Sequence, residues 1–162
     1  MRKERITVKK SIFAMLLVIW MAFIFSMSSQ NSEVSSNTSG GTIKMILSAV
    51  PNFNEQPEEV QENVVENLQF ITRKSAHFIG YMILGILSIL TFLQFEKINK
   101  KPQFAFLLCV VYAISDEIHQ LFVPGRAGQV RDVMIDSSGS FVGIVLVLLC
   151  IKVLKGRKKL TK

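Results

Sequence analysis

Ionisable and polar side chains interrupt three of the apolar segments in this sequence. They are Arg73, Lys74, His77 and Tyr81 in one segment, Asp116, Glu117, His119 and Gln120 in the next, and Asp132 and Asp136 in the last. A charge at bilayer depth costs a few kcal/mol or more, so each of these groups needs a partner or water. Carboxylates and imidazoles placed together can act as general acid and base, or can ligate a divalent cation. The candidate catalytic residues are Asp116, Glu117 and His77.

These side chains are expected to share one face of each segment and a similar depth. At about 100° per residue, Asp116, His119 and Gln120 fall on one side of their helix. At about 1.5 Å per residue, Asp116 lies about 10 Å and Asp136 about 6 Å below the outer ends of their helices. We therefore expect a single outward-open pocket, with two arginines of the intervening turn at its rim. The candidate binding residues are Arg73, Lys74, Tyr81, His119, Gln120, Arg126, Arg131, Asp132 and Asp136.

Four apolar segments could position these groups. They cover about residues 11–28, 76–95, 103–123 and 133–154, and each is near the roughly 20 residues that a bilayer crossing requires. Mean hydropathy is +0.37, and the apolar residues gather in long blocks instead of short amphipathic runs. The sequence thus predicts an all-α, polytopic membrane helical bundle of four transmembrane helices with an extracellular amphipathic helix, in a single domain over 1–162.

The distribution of positive charge predicts the orientation of this bundle. Fourteen of the nineteen Lys and Arg residues lie before segment 11–28, between 96 and 102, or from Lys152 onward, and five lie in 29–75 and 124–132. The positive-inside rule then places both termini in the cytoplasm. The net charge of +7 stands beside apolar segments without a nucleic-acid reading motif, so we expect no nucleic-acid partner. Segment 11–28 is interpreted as a retained span, and a cleaved signal peptide is the alternative.

The outer loop over 29–75 divides into two parts. Residues 28–41 are small and polar, which predicts a flexible linker, and Ile43 to Val50 could form a short surface helix. Pro57 followed by Glu58 and Glu59 is a helix start, and this helix is expected to continue into the second span. Gly139 and Gly143 are spaced for close helix packing. The cysteines, Cys109 and Cys150, lie in apolar blocks, so neither a disulfide nor a thiolate metal site is expected.

Two segments together resemble the VanZ-like family. They are RKSAHFIGY at 73–81 and DEIHQLFVPGR at 116–126, the latter followed by DVMIDSSG at 132–139. The resemblance covers about 73–143 and implies a bacterial plasma-membrane protein of the cell envelope, linked to low-level resistance to the lipoglycopeptide teicoplanin. It implies no particular reaction. The family pattern is matched at Lys74, His77, Tyr81, Asp116, Glu117, Gln120, Arg126, Asp132 and Gly139, whereas Gly80 stands where many relatives have an acidic residue and Asp136 where many have asparagine.

Several functions fit the polar stripes. The favoured interpretation is a site that binds a lipid headgroup, a cell-wall precursor or the antibiotic itself. The alternatives are an integral-membrane hydrolase or transferase acting on an envelope lipid, a purely structural ion-pair cluster, and a proton-coupled transporter. No P-loop, nucleophile elbow or dinucleotide fingerprint is present in the sequence, and neither a cofactor nor a metal is specified by it.

Overall fold

The residues that the structure describes form a bundle of five α-helices. A computed structural model describes the backbone of residues 2–30 and 32–160 and the side chains of residues 12–30 and 39–157. The helices are α1 (Arg2–Ser28), α2 (Ser32–Leu47), α3 (Glu58–Phe92), α4 (Lys101–Gln120) and α5 (Val130–Leu160). Within the described ranges there is no strand, so the all-α prediction is confirmed.

Two of these helices are long and apolar enough to cross a membrane by length and composition. They are α3, over its whole length, and α5 over Val130–Arg157. A shorter apolar helix covers Ile12–Ser28 within α1. Helix α4 has 20 residues, but four of its last five are polar or charged.

The predicted flexible linker over 28–41 is wrong, because most of it forms α2. Packing explains the difference. Gly40 lies so close to the Gln69 side chain of α3 that a Cβ at this position would overlap it. Gly40, one of the small residues that suggested flexibility, therefore allows α2 to approach the Gln69 side chain of α3 closely. The continuous helix expected after Pro57 is confirmed, since α3 starts at Glu58 and continues through the second apolar segment.

Helices α3 and α5 form the centre of the bundle. A Cβ at Gly139 would overlap the carbonyl of Phe78, and a Cβ at Gly143 would overlap the carbonyl of Met82. The close approach expected at these glycines is confirmed. Ser140, fully buried on the same face, donates a hydrogen bond of 3.1 Å from Oγ to the Tyr81 carbonyl.

Helices α1 and α4 pack around this centre. Small residues of α4, namely Ala105, Cys109 and Ala113, are fully buried. Polar contacts in the middle of α1 join Trp20 Nε1 to the Gly80 carbonyl at 2.8 Å and the Tyr112 hydroxyl to the Met21 carbonyl at 2.5 Å. Each of these bonds satisfies a polar group that would otherwise face apolar side chains.

The turn between α4 and α5 brings the ends of those helices together. Gly125, predicted as a turn residue after Pro124, has φ 74°, a conformation that glycine adopts without strain. The turn therefore places α4 and α5 as adjacent antiparallel helices, as expected from its short length.

Replacing Gly143 with alanine should destabilise the protein. The new Cβ would overlap the Met82 carbonyl, and overpacking of this kind costs about 1–3 kcal/mol. Thermal unfolding of the purified protein in detergent, followed by circular dichroism, would measure the loss. Gly156→Ala in the same helix is the matched control, because no atom lies near its Cβ position. Equal melting temperatures for the two variants would contradict the close α3–α5 packing.

Candidate functional site

One imidazole and two carboxylates from three helices meet in the bundle. His77 of α3, Asp116 of α4 and Asp136 of α5 each offer one ligand atom, and these atoms lie within 4.8 Å of one another. His77 Nδ1 lies 3.5 Å from Asp136 Oδ1, an ion-pair distance and too long for a strong hydrogen bond. We call these three residues the three-helix cluster.

Tyr81 is the hydroxyl donor of this cluster. It lies one turn after His77 on the same face of α3 and is 1% exposed. Its hydroxyl donates to Asp116 Oδ2 over 3.4 Å. The bond from Ser140 to the Tyr81 carbonyl holds α3 and α5 at the register that faces His77 toward Asp136. Gly80 puts no carboxylate beside His77 on α3, so Asp136 of α5 is its carboxylate partner.

The cluster contains carboxylate oxygens without a hydrogen-bond donor among the described residues. They are Asp116 Oδ1 and both oxygens of Asp136, and Glu117 Oε1 is a fourth nearby. Asp136 is fully buried and Asp116 is 2% exposed. Burying a polar group costs free energy unless a partner is present, and an ionised carboxylate costs more. A purely structural role would therefore leave the cost of burying these carboxylates without a compensating interaction.

A cavity of about 370 Å³ adjoins the cluster. Its apolar wall comes from α1 and includes Trp20, Phe23, Ile24 and Met27. Its polar lining includes Gln30, Gln69, Arg73, His77, Tyr81 and Arg126. His77 and Tyr81 thus belong to both the cavity and the cluster.

A separate ion pair lies about one turn from the cluster, along the same interface between α3 and α5. Lys74 Nζ contacts Asp132 Oδ1, and both side chains are largely buried. Lys74 and Arg131 also lie over the Phe70 ring, at 5.4 and 5.6 Å from its centroid. Arg131 is outside the cavity, so the expectation that it lies at the rim of the pocket is wrong. Arg131 is the second residue of α5, and from this position its side chain lies over the Phe70 ring.

Three further predicted residues anchor the ends of helices. Glu117 Oε2 accepts a hydrogen bond of 2.7 Å from the Gln129 backbone N–H, which closes the α4–α5 turn. Gln120 Nε2 donates to Ser28 Oγ over 3.1 Å at the end of α1. His119 Nε2 lies 3.0 Å from Ser29 Oγ, with its ring 4.4 Å from that of Phe25. The expectation that His119 shares the pocket is wrong, because the last turn of α4 directs it against α1.

A family model described as VanZ/LLP1 matches residues 13–151. The chain belongs to the VanZ/LLP1 family. The match extends from the apolar part of α1 into the apolar part of α5, and so contains the cavity and the three-helix cluster. Membership in this family, together with the two long apolar helices, indicates a membrane protein linked to glycopeptide resistance.

Two other comparisons provide no further relative of this VanZ/LLP1 protein. No curated protein matches the sequence, and no solved structure matches the fold.

The contribution of α1 to the VanZ/LLP1 cavity was missed at the level of sequence. Segment 11–28 is predicted to be a retained span, with a signal peptide as the alternative, and neither interpretation includes its large side chains in the wall of the cavity. Trp20 is the single tryptophan of the chain and hydrogen-bonds to α3. An indole in the interior of an apolar segment needs a partner for its N–H, and this was the available signal.

Arg126 brings a second positive charge to the cavity beside Arg73. Its Nε donates a hydrogen bond of 2.9 Å to the Gln30 carbonyl. Partial burial lowers the pKa of the Arg126 guanidinium, and the nearby charge of Arg73 lowers it further. Asp116 and Glu117 act on it in the opposite direction, but more weakly. Two like charges are thus held at one cavity.

The Lys74–Asp132 pair should couple α3 to α5. In a double-mutant cycle of Lys74→Met and Asp132→Asn, the coupling energy should be roughly 0.5–3 kcal/mol, since each single change leaves a charge with little water around it. Unfolding free energies of the four proteins in detergent would measure it. A cycle of Arg131→Met with Asp132→Asn serves as the control and should show much weaker coupling. Additive effects of Lys74→Met and Asp132→Asn would argue against the pair.

Proposed function

We propose that this protein crosses the bacterial plasma membrane four times, with both termini in the cytoplasm and the cavity in the outer half of the bilayer. The apolar length of α3 and α5 supports two crossings. Helix α4, at about 1.5 Å per residue, is about 30 Å long and equals the hydrocarbon thickness. Large apolar side chains of α1, α4 and α5 are exposed, as lipid contact requires: Val18, Ile19, Leu107, Val111, Leu146 and Leu149. Most of the lysines and arginines lie at the end of the bundle away from the cavity, and the positive-inside rule places that end in the cytoplasm.

The cavity binds an anionic headgroup of an envelope lipid or of a lipid-linked cell-wall precursor. One observation carries this proposal: Arg73 and Arg126 line the same cavity, opposite an apolar wall. An anion between the two guanidiniums would accept charge-assisted hydrogen bonds from both of them. The wall of Trp20, Phe23 and Met27 would contact the attached apolar chain.

This binding would account for a link to lipoglycopeptide resistance. A lipoglycopeptide antibiotic combines a peptide that recognises cell-wall precursors with an acyl chain. A protein that occupies or shields the anionic lipid at the outer surface would reduce the antibiotic retained there. Such an action needs a binding site and no bond cleavage.

Binding of an anionic lipid should depend on the two cavity arginines. We expect Arg73→Gln with Arg126→Gln to weaken binding of short-chain phosphatidylglycerol by roughly tenfold or more, since hydrogen bonds to charged groups contribute about 1.5–3 kcal/mol each. Trp20, the single tryptophan and a wall residue, gives the signal by its fluorescence. Arg131→Gln is the matched control, because Arg131 lies outside the cavity. Equal affinity for phosphatidylcholine and phosphatidylglycerol in the unmodified protein would reject an anion site.

The same variants should separate binding from protection in cells. In a teicoplanin-sensitive Gram-positive host, the unmodified protein and Arg131→Gln should raise teicoplanin tolerance and lower cell-bound antibiotic. The double arginine variant, at equal protein level in the membrane, should do neither. Full protection by the double variant would contradict a role for the cavity in resistance.

A further inference from the structure

We propose that the three-helix cluster of His77, Asp116 and Asp136 binds one divalent transition-metal ion of the Zn²⁺ class. The site would lie where α3, α4 and α5 meet, next to the polar lining of the cavity. It is supported by contacts other than those of Arg73 and Arg126, so it does not depend on the proposed anion binding.

The donor atoms are close to the spacing that such an ion requires. Metal–ligand distances of about 2.0–2.2 Å for imidazole nitrogen and carboxylate oxygen place neighbouring ligands in a tetrahedral site roughly 3.4 Å apart. His77 Nδ1 and Asp136 Oδ1 are 3.5 Å apart. All three donor atoms lie within 4.8 Å of one another, so ligation would bring the most distant pair closer by roughly 1.4 Å at most.

With both carboxylates ionised, the cluster carries more negative than positive charge. Three of the four oxygens of Asp116 and Asp136 have no hydrogen-bond donor among the described residues. One imidazole can offset at most one of the two negative charges. Lys74 is engaged with Asp132, and Arg126 directs its Nε to the Gln30 carbonyl. A divalent ion ligated by both carboxylates would neutralise their charge and would give the unpartnered oxygens a partner.

The donor set selects the kind of ion. Mg²⁺ and Ca²⁺ prefer oxygen ligands, whereas one of the three donors in this cluster is an imidazole nitrogen. Imidazole with carboxylate suits Zn²⁺ and similar ions, which are stable with three protein ligands and one open position. His77 and Tyr81 also line the cavity, so water or a ligand atom could reach that position from the cavity. The Tyr81 hydroxyl, bonded to Asp116, would orient this carboxylate toward the ion.

Equilibrium binding of Zn²⁺ to the full chain tests the proposal. The protein would be purified in detergent with a histidine-free tag, treated with a chelator, dialysed against Zn²⁺ and analysed for bound metal. We expect one tightly bound Zn²⁺ per chain and a higher melting temperature with Zn²⁺. Tyr81 would hydrogen-bond to a ligand of the ion, and loss of such a partner usually weakens metal binding by about 10–100-fold, so we expect this loss in Tyr81→Phe. His77→Gln and Asp136→Asn remove a ligand itself and should weaken binding at least about tenfold.

Matched variants make the outcome decisive. His119→Gln removes the other histidine of the chain, which lies against α1, and should bind Zn²⁺ as the unmodified protein does. If Asp136→Asn fails to fold, His77→Gln and Tyr81→Phe still decide, because their side chains keep the volume. Lack of tight Zn²⁺ binding by the unmodified protein, unchanged affinity in His77→Gln, or loss of binding in His119→Gln would each overturn the site. Equal competition by Mg²⁺ would overturn the assignment to a transition metal. Loss of phosphatidylglycerol binding in the arginine variants with Zn²⁺ binding intact would keep the two sites separate.

Discussion

The other contacts depend on one constraint, the direct backbone approach of α5 to α3 at Gly139 and Gly143. The two helices run parallel, and their contacts keep nearly one register: Lys74 with Asp132, His77 with Asp136, and Tyr81 with Ser140. Gly139 and Gly143 permit this register because any Cβ would overlap the backbone of α3. A wider separation would move each ionic partner beyond contact distance, since the side chains involved have limited reach. Close packing and charge pairing are therefore one structural requirement here.

Groups of opposite charge adjoin at His77. The carboxylates of the three-helix cluster lie where α3, α4 and α5 meet, whereas Arg73 and Arg126 line the cavity. His77 lies between them and belongs to both environments. Electrostatic interactions are strong at such a site because little water screens them. An anion at the arginines and a cation at the carboxylates would stabilise each other through this short separation, although each site is defined by its own contacts.

Helix α1 supplies an apolar wall that covers one side of this charged surface. Its aromatic and aliphatic side chains provide the wall opposite the arginines, and its C-terminal end is tied to α4 through Gln120 and Ser28. A cavity with one apolar side and one cationic side suits an amphiphile better than a free ion. The amphiphile of the envelope that we propose as the ligand of this VanZ/LLP1 protein agrees with that shape.

The sequence by itself determined the helical class and the candidate residues near the cluster, because hydrophobic blocks and helical periodicity are local properties of the chain. It also identified Gly139 and Gly143 as packing positions. Only the tertiary structure decided which polar residues meet. His119 and Arg131 carry the same kinds of groups as His77 and Arg126, yet they face α1 and Phe70, respectively. The helical nature of Ser32–Leu47 and the wall formed by α1 were decided there too. Each depends on contacts between segments distant in the chain, and the rotation and register of neighbouring helices set those contacts.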